Sequence, residues 1–366
     1  MRRDTYYVLR EKGRKPPHAL RIFPMAQSTQ EKTLAYLQSK LPQARDLSLS
    51  QFVQTAVGWS HEIYVFYAHW KESGQEVKRG FCLRKDPGVG LLRNLSDLKE
   101  QYRVLQALEP TPAPTPKVYW YEEDPTILGG PFFIMEKIEG EATNPWSKVG
   151  KQYYAEAAKR GKLPRSFIEA LASLHNLDWR AAGLDFIGVP GPGADFALRE
   201  VAKWESLIQQ SLRKPEPVLT EVLMWLKANA PKTQRLAFVH GAYRTGNLMI
   251  KDDLISAIID WELQVIGDPM YDVAYVLSDL NREGSPLLSC VVEREFFIET
   301  YQQLTGLTID FDACRYYEIL YMMRSTAFWL SASGLFAEGK NKDLRLARTT
   351  YSVPVVLDMA AKALGF

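Results

Sequence analysis

The sequence predicts an α+β chain in two parts: a strand-rich N-terminal half and a mostly helical C-terminal half. Three observations carry that reading. Between Leu47 and Lys137, aromatic and β-branched runs alternate with short turns, interrupted by one stretch of helical spacing. After Gly140 the periodicity becomes helical and stays so to the end. The exception is Phe238 to Asp260, where two short apolar runs, Leu248–Ile250 and Leu254–Ile259, flank the charged turn Lys251-Asp252-Asp253 and read as a β-hairpin.

At 366 residues the chain is long enough for two lobes with a substantial core. A net charge of +2 gives no argument for a nucleic-acid partner, which usually calls for a large basic excess. No apolar run is long enough to cross a bilayer. Three cysteines, Cys82, Cys290 and Cys314, show no CxxC spacing, which points to a reducing, cytoplasmic setting without disulfides or a cysteine zinc site. Residues 1–25 carry seven Arg or Lys against two acids and lack the apolar centre of a secretory signal, so they read as a solvated basic extension.

In chain order, Ser28 to Leu41 reads as a capped helix. Strands follow near Phe52-Val53, over Ile63–Trp70 and up to Phe81-Cys82-Leu83-Arg84-Lys85. The Gly58-x-Ser60 turn between the first two is weak evidence alone, although a strand–turn–strand unit can lay backbone N–H groups over phosphates. Leu95 to Leu108 has helical spacing, and the Pro-rich Thr111–Pro116 run ends it. Strands over Lys117–Glu122 and Pro131–Lys137 are expected to turn at Gly129-Gly130. Beyond them, the glycines of 188–193 lack strand–helix context and read as a loop. The aromatic helix over Arg315–Leu335 reads as core.

The hairpin carries chemistry at its outer ends. Asn247 enters its first strand and Asp260 leaves its second, so both can face one cavity. An amide oxygen and one carboxylate form a poor all-protein cage, but they suit a magnesium ion that takes its other ligands from water and phosphates.

The stretch from His240-Gly241 through Asn247 to Ile259-Asp260-Trp261-Glu262 and Gly267-Asp268-Pro269 resembles the core of the aminoglycoside phosphotransferase-like kinases. These belong to a branch of the protein-kinase-like fold. Leu174-His175-x-x-Asp178-Trp179 and the hinge-like Pro131-Phe-Phe-Ile-Met-Glu-Lys-Ile-Glu-Gly140 strengthen the resemblance, which covers about residues 45 to 335. It implies a two-lobed fold, with an N-lobe at 26–138 and a C-lobe at 139–366, and ATP-dependent phosphoryl transfer to a small-molecule alcohol. It implies nucleotide contacts at Gly58, Ser60, Arg84, Glu136, Lys137 and Ile138, and magnesium at Asn247 and Asp260. The family's glutamate position is Gln101, so either Glu100 pairs with Arg84 after a slight rotation or the pair weakens to a hydrogen bond between Arg84 and Gln101. His175 is expected to be structural, Glu262 to support Asp260, and Asp268 and Asp272 to anchor the next helix.

The sequence departs from the family pattern at Ala242, where the family has its catalytic aspartate. Three readings stay open: an inactivated kinase, a nucleotide-binding pseudokinase acting through a partner, or an acid supplied by Asp268 or Glu262. Neither Tyr243 nor Arg244 offers a usable base at neutral pH.

Overall fold

The computed structural model describes residues 24–55, 61–88, 97–282 and 284–365. The expected capped helix is α1 (Pro24–Lys40), which begins ahead of Ser28, since proline is tolerated in a helix's first turn. Strands β1 (Arg45–Gln54), β2 (Glu62–Glu72) and β3 (Gln75–Lys85) follow, then α2 (Leu98–Leu108). Next come β4 (Val118–Glu122), a short helix α3 (Pro125–Leu128) and β5 (Phe132–Glu136). The expected tight turn at Gly129-Gly130 is therefore the end of a helical turn, closed by Gly129 in the left-handed conformation at φ +86°.

These five strands form one antiparallel sheet in the order β1-β2-β3-β5-β4. Its two faces follow from side-chain alternation along each strand. Tyr64, Phe66, Phe81, Leu83, Phe132 and Ile134 pack in one cluster with Tyr36 and Leu37 of α1. The intervening residues, among them Ile63, Val65, Cys82, Arg84 and Met135, face a cleft on the opposite side. Leu98, Val104, Leu105 and Leu108 give α2 one apolar face and join it to the larger core.

The helical lobe contains α4 (Lys148–Lys159), α5 (Lys162–His175), α6 (Asp195–Ser211) and α7 (Pro217–Ala228). The short strand β6 (Ala237–Val239) pairs antiparallel with β9 (Val265–Gly267). Between them lies the hairpin of β7 (Leu248–Lys251) and β8 (Leu254–Ile258). Asp252 and Asp253 both have positive φ, +54° and +61°, as the favoured two-residue hairpin turn requires. Then follow α8 (Met270–Leu277), α9 (Arg294–Thr305) and α10 (Phe311–Ala337). The chain ends with α11 (Leu344–Arg348) and α12 (Ser352–Leu364). Helix α10 is the lobe's central post, packed by α6, α7, α8 and α12. Its tyrosines 316, 317 and 321 are fully enclosed, so the aromatic stripe is core. The three cysteines are buried and free. No helix among the described residues is long and apolar enough to cross a membrane.

One contact ties the segment leaving β5 to the hairpin. Glu141 and Ile250 exchange both backbone hydrogen bonds, at 2.9 and 3.0 Å, and Ser256 Oγ donates to Glu139 O at 3.0 Å. Gly140 sits inside this contact at φ +128°, where an added Cβ would lie 2.6 Å from the Ile250 carbonyl oxygen. Substituting Gly140→Ala should therefore cost about 1–3 kcal/mol, combining overpacking with an unfavourable backbone conformation. Chemical denaturation checks this, and an unchanged midpoint would mean the crossover is free to shift.

Candidate active site

The catalytic-type loop is held from beneath by one carboxylate. Asp272, in the first turn of α8 and fully buried, accepts the backbone N–H of His240 through Oδ2 and that of Gly241 through Oδ1, both at 2.8 Å. His175 Nε2 lies 3.3 Å from Asp272 Oδ2, and the other ring nitrogen lies 2.7 Å from Tyr301 Oη. Burial alone would raise the Asp272 carboxyl. Hydrogen bonding and charge from His175, with the bond from His240, outweigh burial and hold it below the usual carboxylate range. His175 is structural, as expected. Asp272 differs from expectation: it anchors the loop rather than the following helix. Asp268 takes the helix-anchoring part alone, accepting from Met270 N at 2.9 Å. Its carboxyl is raised to about 6, chiefly by burial.

His240 completes the loop's internal bonding. Its Nε2 sits 3.0 Å from Ile259 O and its Nδ1 accepts from Ala242 N at 3.2 Å, a pair of partners that fits the neutral ring protonated on Nε2. Burial lowers the His240 pKa, keeping the ring neutral. Arg324, buried in α10 against the faces of Tyr321 and Tyr275, donates to Gly241 O at 2.5 Å. Ala242 is therefore fixed on both sides, and Asn247 Nδ2 donates to its carbonyl at 3.0 Å. That bond uses Nδ2 and so orients the Asn247 amide, with Oδ1 as its acceptor atom.

Across the cleft, strand alternation separates the two basic residues that end β3. Lys85 turns away to Glu62 at 3.0 Å, whereas Arg84 points inward. Arg84 is 7% exposed, donates to Glu262, and lies 3.6 Å from Asp260 Oδ1. His61 Nδ1 lies 2.9 Å from the same Glu262 oxygen, so β2, β3 and the segment after the hairpin meet at one carboxylate. Among the described residues, the buried Arg84 Nε has no hydrogen-bond partner.

This arrangement corrects the expected Arg84–Glu100 pair. Helix α2 turns Leu98, Gln101 and Leu105 to its buried side, and Gln101 and Leu105 line the cleft. Glu100, the next position round the helix, accepts instead from Gln264 Nε2 at 3.2 Å. Burial and then the charge of Asp97 raise the Glu100 carboxyl. Glu262 therefore has a larger part than support of Asp260, because it is the carboxylate that engages Arg84. The signal was its place two residues after Asp260, but only the folded chain shows which strand it meets.

The cleft encloses about 660 Å³ and brings together Arg84, Glu136, Lys137, Ile138, Asn247 and Asp260. Gly58 and Ser60 lie outside the described residues. Along the hinge, the N–H of Glu136 is spent on Lys117 O at 2.7 Å and that of Lys137 on Gly80 O at 3.1 Å. Ile138 N–H has no such bond among the described residues, so of the three it is the donor available to a ligand edge. Ile63, Val65, Met135, Met249 and Ile259 supply apolar walls around it. At the far end Asp260 adopts φ +70°, an uncommon conformation that a non-glycine residue keeps only where its surroundings impose it. Burial, then the charge of Glu262, raises the Asp260 carboxyl, opposed by Arg84 and Arg244. No cluster of three or more His, Cys, Asp or Glu side chains suited to a metal occurs among the described residues.

A profile of the phosphotransferase enzyme family matches residues 56–317. A probable acyl-CoA dehydrogenase of Arabidopsis thaliana is 36% identical over 215 residues, covering 56% of this chain and 25% of that protein. Acyl-CoA dehydrogenase family member 10 of Mus musculus is 31% identical over 199 residues, 54% of this chain and 18% of that protein. The chain thus spans about a quarter or less of the length of these relatives. An aminoglycoside 3'-phosphotransferase of Niallia circulans is 29% identical over 209 residues, 56% of this chain and 70% of that protein. Among solved structures, a proposed aminoglycoside phosphotransferase from Ralstonia eutropha superposes with a TM-score of 0.64 at 21% identity, covering 91% of this chain and 97% of that one. A macrolide 2'-phosphotransferase of type I gives 0.58 at 18% identity, covering 91% and 99%. At such identities the structural likeness speaks for the fold, a two-lobed protein-kinase-like architecture. The family profile spans most of the sequence, and the chain belongs to the phosphotransferase enzyme family.

Proposed function

We propose that the chain is an ATP-dependent phosphotransferase acting on the hydroxyl of a small molecule, with the position of its general base taken by Ala242. The observation that carries this reading is the convergence in one cleft of a hinge donor, a buried arginine and an oxygen-donor pair, all beside a loop fixed by Asp272.

The residues fit the groups the reading requires. Asn247 Oδ1 and the Asp260 carboxylate are hard oxygen donors suited to magnesium with phosphate and water completing its shell. Arg84 Nε is a buried donor without an acceptor among the described residues, on a guanidinium whose fork matches phosphate oxygens. Ile138 lines the cleft beside the apolar walls, where its N–H would serve a purine edge. Bound magnesium nucleotide would supply the phosphoryl group and neutralise its charge. The chain's own part is to orient the phosphates, exclude water and hold the acceptor hydroxyl by the loop. Phosphoryl transfer depends mostly on such positioning, so the lost base impairs turnover more than binding.

Two further points bear on the acceptor. No acidic cluster that would favour a polycationic drug stands out in the helical lobe's sequence. The relatives named as acyl-CoA dehydrogenases make hydroxylated acyl thioesters worth including among acceptors. Ala242 itself favours a second reading, a nucleotide-binding pseudokinase acting through a partner.

ADP release measured with magnesium, ATP and a panel of hydroxylated metabolites, drugs and acyl thioesters separates the readings. Ala242→Asp should raise turnover of an accepted substrate at least about 100-fold, the lower end of general-base contributions. Equal rates in both forms would remove Ala242 from the base position. Nucleotide binding without turnover in either form would support the pseudokinase. Separately, Asp260→Asn should raise the magnesium concentration needed for half-maximal ATP binding by roughly tenfold or more, the worth of one charged contact. Calorimetric titration at fixed ATP checks it, and an unchanged requirement would place the metal elsewhere.

A further inference from the structure

His61 is a cleft residue that the proposed function leaves without a part. It stands immediately before β2, and its side chain is 8% exposed where it lines the cleft. In the antiparallel ladder Ile63 pairs with Arg84, and His61, two residues before Ile63, falls on the same side of the sheet.

Three side chains meet there on one atom. His61 Nδ1 lies 2.9 Å from Glu262 Oε1, and Arg84 Nη2 donates to that same oxygen. An ionised carboxylate only accepts, so the imidazole carries a hydrogen on Nδ1 and directs it at Glu262. The two nitrogens, Nδ1 and Arg84 Nη2, are 3.1 Å apart because both donors converge on one acceptor.

That is not how an arginine usually meets a carboxylate. Free to rotate, the two groups form a pair of parallel bonds, and the edge made by Nε and Nη2 is well suited to it. Here Nη2 reaches one oxygen of Glu262, while Nε, buried on the same edge, has no hydrogen-bond partner among the described residues. Asp260 offers Arg84 only a 3.6 Å contact, and again at Nη2. A buried donor without an acceptor is costly, and it persists where something blocks its pairing or a ligand completes it. His61 supplies the block: turning the Glu262 carboxylate towards Nε would give up the imidazole bond.

We propose that His61 is a positioning residue: by holding Glu262 Oε1 it keeps that carboxylate from closing a two-bond pair with Arg84, and so reserves the Arg84 Nε–H for a phosphate oxygen of the nucleotide. This rests on the nucleotide reading of the cleft, and the test separates the two. Magnesium ATP is titrated calorimetrically into the unaltered chain, His61→Asn and His61→Leu. Asparagine places Nδ2 where the imidazole has Nδ1, whereas leucine fills the space without a donor.

Binding to His61→Leu should weaken about tenfold or more, the worth of a hydrogen bond to a charged group, while His61→Asn stays within about threefold. The denaturation midpoint of His61→Leu should change little, because the released carboxylate then pairs fully with Arg84. In an Arg84→Lys background, adding His61→Leu should cost little further affinity, since an ammonium has no second edge to lose. Equal losses in His61→Asn and His61→Leu, no loss in either, or a full loss that persists in the Arg84→Lys background would overturn the proposal and leave the proposed function standing. Failure of the unaltered chain to bind magnesium ATP would overturn both. Should His61→Leu not fold, His61→Met is a second donor-free variant, and failure of both to fold would itself contradict the expected pairing.

Discussion

Asp272 is a fully buried carboxylate, and the geometry of the whole loop depends on how its charge is compensated. Removing a carboxylate from water is expensive unless donors replace the lost hydration. Here the donors are two successive backbone N–H groups, His240 and Gly241, with the His175 ring alongside. One charge therefore fixes the loop, α5 and α8 relative to one another. Its depressed pKa makes this stabilising above the ordinary carboxylate range, with the contribution lost as pH falls through the folded value. The hydrogen bonds that hold the loop are made by backbone groups and by Asp272, His240 and Arg324, and none uses the side chain at position 242.

The two lobes meet through a second charged group. Glu262 collects Arg84 and His61 from the sheet, and the backbone exchange between Glu141 and Ile250 ties the crossover to the hairpin. The cleft is framed by these two contacts, one at its Arg84 end and one at its Ile138 end. Truncating Glu262 would leave Arg84 with little compensation in a buried place, so the pair matters more as a constraint on position than as net stability.

Much of this was legible in the sequence, for identifiable reasons. The hairpin, the β3 strand ending Arg84-Lys85 and the hinge are local patterns of period two bounded by turns, and each occurs where the spacing put it. Asn247 and Asp260 share a cleft because a short hairpin leaves its outer ends side by side. The Glu100 pairing failed because Gln101 holds the cleft-facing position, and the next residue is turned about 100° round the helix, towards Gln264. The part of Asp272 was hidden because its partners lie 31 and 32 residues earlier in the chain. The final helices α11 and α12 carry no motif and were covered only by the general helical periodicity, although α12 closes the core around α10.

A crystal structure with magnesium and a non-hydrolysable ATP analogue tests the central claim most directly. The expected structure has the adenine edge at Ile138 N–H and phosphate oxygens at Arg84, with Asn247 and Asp260 as the side chains that would hold the metal. Nucleotide bound elsewhere, such as in the apolar groove lined by Leu219, Leu330 and Leu357, or a metal held without Asp260, would contradict it.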